Sequence, residues 1–105
     1  MSRAKVIGPL DASAIRKVAR HHLAEVRHCY VSVGIAANRN LKGRVEVRFT
    51  IKPTGSVGTL RIARSTLHHA RTESCIKSAM RRWRFPKSAR GSTTVNYPFT
   101  FVSKG

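Results

Sequence analysis

Residues 43–65 alternate apolar and polar side chains in two runs that a short turn separates. The apolar positions of the first run are Val45, Val47, Phe49 and Ile51. A period of two places these side chains on one face of a strand and the polar ones on the other. The turn sequence Pro53-Thr54-Gly55-Ser56 combines the fixed φ of proline with a glycine that accepts positive φ. The pattern predicts a β-hairpin, which is only marginally stable alone and must be covered by other elements.

The segment before the hairpin has apolar residues at steps of three and four, which is typical of an amphipathic helix. Asp11 or Ser13 can cap this helix, and Gly34 together with the polar residues 38–40 ends it. The predicted inner stripe comprises Ile15, Val18, Ala19, His22, Val26, Cys29, Tyr30 and Val33.

A second helix is predicted over residues 67–83, with Ser65 or Thr66 as its cap. It must end before Phe85-Pro86, because the residue that precedes a proline disfavours the helical region. Its predicted inner face consists of Ala70, Ile76, Ala79, Met80 and Trp83, with Cys75 beside it.

A third strand is predicted near the C-terminus, where Val95, Tyr97, Phe99 and Phe101 alternate with other residues. Pro98 cannot donate a ladder hydrogen bond, so this strand belongs at a sheet edge. Residues 1–10 are predicted to be a flexible basic lead-in, and residues 11–105 a single domain. The order α-β-β-α-β predicts an α+β fold, with a three-stranded antiparallel sheet and two helices packed on one face.

The charge balance favours an anionic partner. The 105 residues contain 21 Lys and Arg against four Asp and Glu, which gives a net charge of +17. Such a surface is attracted to phosphate, acidic protein, anionic lipid or acidic polysaccharide. No apolar run approaches the ~20 residues that span a bilayer, and the N-terminus lacks the apolar core of a signal peptide. If the domain functions outside the cytoplasm, we expect a longer chain to carry the targeting segment.

Catalytic or metal chemistry has little basis in the sequence. The four carboxylates are scattered, no glycine-rich phosphate loop is present, and we predict neither an enzyme nor a cofactor. His21, Glu25 and His28 lie near one helix face, but a solvated polar face explains them without a metal, and we predict no metal site. The two cysteines cannot form a four-thiolate zinc site, so a disulfide and two buried thiols both remain open.

Several motifs resemble the TonB C-terminal domain superfamily over residues 15–102. In that pattern a glycine precedes an alternating strand, a glycine turn follows, a serine ends the second strand, and Trp-x-Phe-Pro ends the helix. The matching residues are Gly43, Gly55, Ser65, Trp83, Phe85 and Pro86. The segments HHLAEVRHCY, ESCI, RRWRFP and VNYPFTF are most similar to the AgmX/PglI C-terminal family of gliding-motility and related envelope proteins, including one cysteine in each helix.

This resemblance implies a non-enzymatic periplasmic domain at the end of a longer protein anchored in the inner membrane. It implies a disulfide between Cys29 and Cys75, a role in energy transduction or gliding motility, and an outer-membrane or periplasmic protein partner. TonB-like domains bind such partners by adding an extended strand to an exposed edge. The edge residues implied here are Thr94, Val95, Asn96, Tyr97, Pro98, Phe99 and Thr100.

The arginines suggest that this partner is acidic. We predict a basic face that selects it or accelerates its association; the residues are Arg44, Arg48, Arg61, Arg64, Arg81, Arg82 and Arg84. An open edge would also allow a homodimer. The alternative function is that of a basic nucleic-acid-binding module. No aromatic motif for base stacking is evident on the strands, so this alternative rests on charge alone.

Overall fold

The computed structural model describes residues 4–102, which form a four-stranded antiparallel sheet with helices packed on one face. The elements in chain order are strand β1 (Lys5–Ile7), helices α1 (Ala12–His21) and α2 (Leu23–Cys29), a π-helical segment (Tyr30–Ile35), strands β2 (Gly43–Ile51) and β3 (Val57–Ser65), helix α3 (Ala70–Met80) and strand β4 (Thr93–Phe101). The strand order in the sheet is β1-β4-β2-β3. The α+β class and the predicted hairpin are therefore confirmed.

Strand β2 is the centre of the core, as its alternation predicts. Its odd-numbered residues from Val45 to Ile51 are buried against the helices, and its even-numbered residues face the opposite side. Strand β4 pairs with β2 along its whole length, from Gly43 opposite Phe101 to Ile51 opposite Thr93. Burial of one continuous apolar layer between sheet and helices supplies most of the driving force for this arrangement.

The hairpin turn requires glycine at position 55. Gly55 donates its N–H to the Lys52 carbonyl at 2.8 Å and has a φ of 92°, which a residue with a side chain rarely adopts. The Gly55 carbonyl accepts a hydrogen bond from the Phe85 N–H at 2.8 Å. A Cβ atom at this position would lie 2.1 Å from the Phe85 carbonyl oxygen. The turn is therefore fixed both by its own geometry and by the chain that follows α3.

The predicted count of three strands is wrong, because β1 adds a fourth. Lys5 pairs with Asn96 and Ile7 with Thr94, so part of the predicted lead-in belongs to the sheet. A strand of three residues is too short to show a period in sequence, and its partner lies at the other end of the chain. Only the tertiary pairing with β4 stabilises it.

The predicted count of two helices is also wrong, because the first helix is divided. At His22 the backbone leaves the helical region, with φ −102° and ψ 9°, and α2 begins at the next residue. After Cys29 the chain continues as a π-helical segment. This segment contains the buried Gly34, where a Cβ atom would lie 2.7 Å from the Leu41 side chain. The following loop packs so closely against this position that it favours a residue without a side chain.

Helix α3 begins later than its sequence pattern predicts. His68 adopts a positive φ of 53°, which interrupts the chain before the helix, and His69 is the N-cap in place of Ser65 or Thr66. The His69 Nδ1 accepts from the Thr72 N–H at 3.3 Å. Ser65 instead donates its hydroxyl to the Glu73 carboxylate at 2.9 Å, which ties the end of β3 to α3.

A disulfide between Cys29 and Cys75 joins the end of α2 to α3, with the two Cα atoms 5.6 Å apart. The disulfide implied by the family resemblance is confirmed. Cys29 is buried in the core, whereas Cys75 is half-buried at its margin.

Candidate functional site

Strand β4 is a sheet edge over only part of its length. On the side away from β2, strand β1 pairs with Thr94, Val95 and Asn96, the first three residues of the predicted edge. Beyond Asn96, β4 runs past the end of β1 with Tyr97, Pro98 and Phe99. Pro98 lies in this part, where a residue without an N–H is compatible with a sheet. The structure thus separates the predicted edge into a covered half and a half beside the helices.

A groove of about 1140 Å³ lies between the second half of β4 and the α2–π-helical layer. It is lined by Leu23, Arg27, Tyr30, Val31, Ile35, Arg39, Asn40, Tyr97, Pro98, Phe99, Thr100, Phe101 and Val102. Two of these valines are solvent-exposed: Val31 to 58% and Val102 to 74%. Apolar side chains exposed together beside a strand are typical of a binding surface.

The floor of the groove is held by stacked aromatic rings. Tyr30 stacks on Phe101, with ring centroids 4.7 Å apart, and its hydroxyl donates to the Leu41 carbonyl. Burial raises the pKa of Tyr30, so the hydroxyl keeps its proton and its role as a donor. The ring centroids of Tyr97 and Phe99 are 5.1 Å apart. These contacts give the groove a preformed floor, which reduces the entropic cost of binding.

The charged residues that line the groove are both cations, Arg27 and Arg39. The sequence pattern predicts the β4 half of the groove but not the helical half, including Arg27 and Val31. The available signal was that Val31 is an apolar residue outside the predicted inner stripe of its helix.

A second cluster, His22, Glu25 and Trp83, lies where α1 and α2 meet. The His22 ring stacks on the Trp83 indole, with centroids 5.0 Å apart and an interplanar angle of 16°. Glu25 Oε2 lies 2.5 Å from His22 Nδ1, and Glu25 Oε1 accepts from the Trp83 N–H at 3.4 Å. The bond to His22, then that to Trp83 and the charges of His22 and Arg82, lower the pKa of Glu25 against the opposing effect of burial. The contacts of the cluster therefore favour the ionised form of Glu25.

We expect this carboxylate to make stability depend on pH below the ordinary pKa of glutamate. Because the pKa of Glu25 is lower in the folded state, its ionisation stabilises the fold at pH values above the unfolded-state pKa of 4.5. This stabilisation is lost as the pH falls through the folded-state pKa. The free energy of unfolding of wild type should therefore fall more steeply below this pH than that of Glu25→Gln. Urea denaturation of both proteins across the acidic range measures the difference, in which titrating groups that do not interact with Glu25 cancel. Parallel pH profiles would contradict the assignment.

The predicted basic face is divided by the structure. Arg44, Arg48, Arg61 and Arg64 lie together on the open face of the sheet, opposite the helices. Arg81 and Arg82 follow α3. The backbone of Arg84 forms an isolated antiparallel β-bridge with Ser56 beside the hairpin turn. The aromatic rings of β2 and β4 pack on the helical side, so no ring lies on the open face within residues 4–102. That face can contact phosphates but offers no ring for base stacking.

The histidines do not converge on a metal position. Glu25 contacts His22 and not His21, and His28 contacts Ser32 at 3.3 Å. In the described part of the chain, no three His, Cys, Asp or Glu residues are placed to hold a metal ion. Across the same residues, no helix has the length and apolar character needed to cross a bilayer.

Comparison with known proteins finds a family model and a solved structure that are similar to this chain. The family model for the Gram-negative bacterial TonB protein C-terminal matches residues 34–102. No curated protein sequence matches the chain significantly. Among solved structures, the solution structure of the TonB C-terminal domain of Helicobacter pylori is similar, with a TM-score of 0.51 and 21% identity over 94% of this chain and 99% of that one. At this identity the structural likeness shows a shared fold alone.

Proposed function

Since the chain belongs to the family of TonB C-terminal domains, we propose that it binds an extended segment of an envelope protein along β4. Domains of this family are generally non-catalytic protein-interaction domains of the periplasm in Gram-negative bacteria. The observation that supports our proposal is the groove beside the second half of β4, where exposed valines flank a strand that extends beyond its short neighbour β1.

The proposed mode of binding is strand addition. A guest strand would continue the line of β1 along the part of β4 that lies beyond Asn96. Backbone hydrogen bonds to β4 would supply affinity, and alternate side chains of the guest would enter the groove. One set of these side chains would contact Val31 and the aromatic floor, so we expect apolar residues at every second position of the guest.

We propose that the guest also carries acidic residues. Arg27 and Arg39 line the groove, and the whole chain has a net charge of +17. Complementary charge mainly raises the association rate and selects against cationic partners, and this effect weakens as salt screens it. An outer-membrane or periplasmic protein would provide the guest. We further propose that the domain ends a longer, inner-membrane-anchored protein, in gliding motility or related envelope machinery. The AgmX/PglI-like motifs around the two cysteines support this role.

The proposal is tested by photo-crosslinking in the native host. A photoreactive phenylalanine analogue replaces Val31 in the groove, and the control replaces Ala89, which is exposed in the loop before β4. We expect an adduct from position 31 and none from position 89, because only the first lies beside the guest strand. Mass spectrometry should assign the crosslinked peptide to a periplasm-facing segment with alternating apolar residues. Adducts from both positions, or from neither, would rule out the groove as the docking site.

A further inference from the structure

The open face of the sheet carries a cluster of cations that the groove does not use. Side chains directly opposite each other in an antiparallel pair lie on the same face. The outward residues of β2 therefore share their face with their partners on β3, and through β4 with those on β1. The cations placed there by the register are Lys5, Arg44, Arg48, Arg61 and Arg64. None of these five cations lines the groove, so the cluster is made of other residues.

The centre of the cluster brings like charges together. Arg48 lies directly opposite Arg61, and the same row crosses the sheet through Asn96 to Lys5. Like charges directly opposite in a sheet are destabilising. Glu46 lies on the same face directly opposite Arg64, but its carboxylate accepts a hydrogen bond from Asn96 at 3.0 Å. Within residues 4–102, no carboxylate forms an ion pair with any of these five cations. The row is complementary to an anion outside the chain.

We propose that this face docks on the anionic phosphate surface of a lipid bilayer. The cations are spread over a sheet that presents one broad face, which suits an extended surface of charge. Ile7 lies on the same face, because its partner Thr94 does, and 73% of its surface is exposed. Cations combined with an exposed apolar side chain are the elements of peripheral membrane contact. This inference does not depend on the proposed strand addition, since neither Ile7 nor any of the five cations lines the groove.

The test measures partitioning of the whole chain onto vesicles of phosphatidylcholine with and without phosphatidylglycerol. Wild type should bind only the vesicles that contain phosphatidylglycerol. The variant Arg48→Gln/Arg61→Gln should partition about 25-fold more weakly, because each cation near an anionic surface contributes roughly fivefold. This variant should fold at least as well as wild type, since it removes a repulsion. Thermal unfolding checks that expectation.

The matched control is Arg16→Gln/Arg20→Gln, which removes the same charge from exposed positions of α1 on the helical side. We expect this control to partition within about twofold of wild type, because salt screens charges that lie away from the membrane. Equal losses in both double variants would show that net charge alone drives binding. That outcome, or the absence of binding by wild type, would overturn the proposal.

A second arm distinguishes a bilayer from a soluble polyanion. Ile7→Ser should weaken binding to the phosphatidylglycerol vesicles severalfold, because it removes apolar contact with the lipid. It should leave binding to short double-stranded DNA and to polyglutamate unchanged. If Ile7→Ser has no effect on vesicles and DNA binds as tightly as they do, the face recognises polyanions in general, and the membrane assignment is wrong.

Discussion

Replacing Cys29 and Cys75 together with alanine is expected to lower the free energy of unfolding by about 4 kcal/mol. The disulfide closes a loop across a sequence separation of 46 residues, which contains both β2 and β3. Without it the unfolded chain gains the conformational freedom that the crosslink removes. Alanine is preferred to serine because Cys29 is buried among apolar side chains. Urea denaturation of the variant and of oxidised wild type measures the difference.

Reduction of wild type provides the matched control. Dithiothreitol should destabilise wild type by a similar amount and leave the double alanine variant unchanged. A thiol count on denatured protein from the native host, with free thiols blocked at lysis, should find none. A double variant that retains its stability to within about 1 kcal/mol would contradict the prediction, because loop closure would then contribute little.

Replacing Trp83 with alanine is expected to cost about 3–5 kcal/mol, the usual cost of truncating a large buried aromatic residue. Trp83 is 2% exposed and stacks on His22. It also packs against Phe99 in a T-shaped arrangement, with ring centroids 6.4 Å apart. Its removal would leave a cavity between the α1–α2 junction and β4. Because Trp83 is the chain's single tryptophan, unfolding must be followed by circular dichroism in place of fluorescence.

The variant Trp83→Phe separates packing from hydrogen bonding. It keeps an aromatic ring against His22 but removes the indole N–H that donates to Glu25. We expect a loss clearly smaller than that of Trp83→Ala, because most of the buried apolar area remains. Equal losses in the two variants would show that shape complementarity or the hydrogen bond, and not apolar burial, controls this position.

The strands of the central sheet could be predicted because their residues alternate over long runs. Strand β2 and its turn follow from the alternation of Val45 to Ile51 and from Gly55, and β4 follows in the same way. Strand β1 could not be predicted, because Lys5 to Ile7 is too short to show a period and is stabilised by residues near the other chain end.

The helix boundaries were harder to predict from the sequence, because tertiary contacts determine them. The division at His22 has no glycine or proline to mark it and accompanies the stacking of His22 on Trp83. The late start of α3 results from the positive φ of His68, a conformation that few residues other than glycine adopt. The apolar periodicity continues through both positions and conceals them.

For the candidate site, sequence located the strand but not its surroundings. Pro98 predicted that the strand lies at a sheet edge, but β4 lies between β1 and β2, and the cover that β1 provides over Thr94 to Asn96 was not predicted. The arginines are evident from the composition. Only the strand register shows that Arg48 lies opposite Arg61, while Arg81 follows α3. Three-dimensional placement, which composition does not contain, divides one predicted basic face into separate groups.

The position of β4 in the sheet has a consequence for how the chain folds as it is made. Among the described elements β4 is synthesised after all the others, yet it lies between β1 and β2, and Lys5 is roughly 90 residues from its partner Asn96. The β2–β3 hairpin can form early because its contacts are local, but β1 and the inner edge of β2 have no partner until β4 emerges. The sheet therefore cannot be completed until β4 has been synthesised, and the growing chain carries two unpaired strand edges that favour aggregation until then.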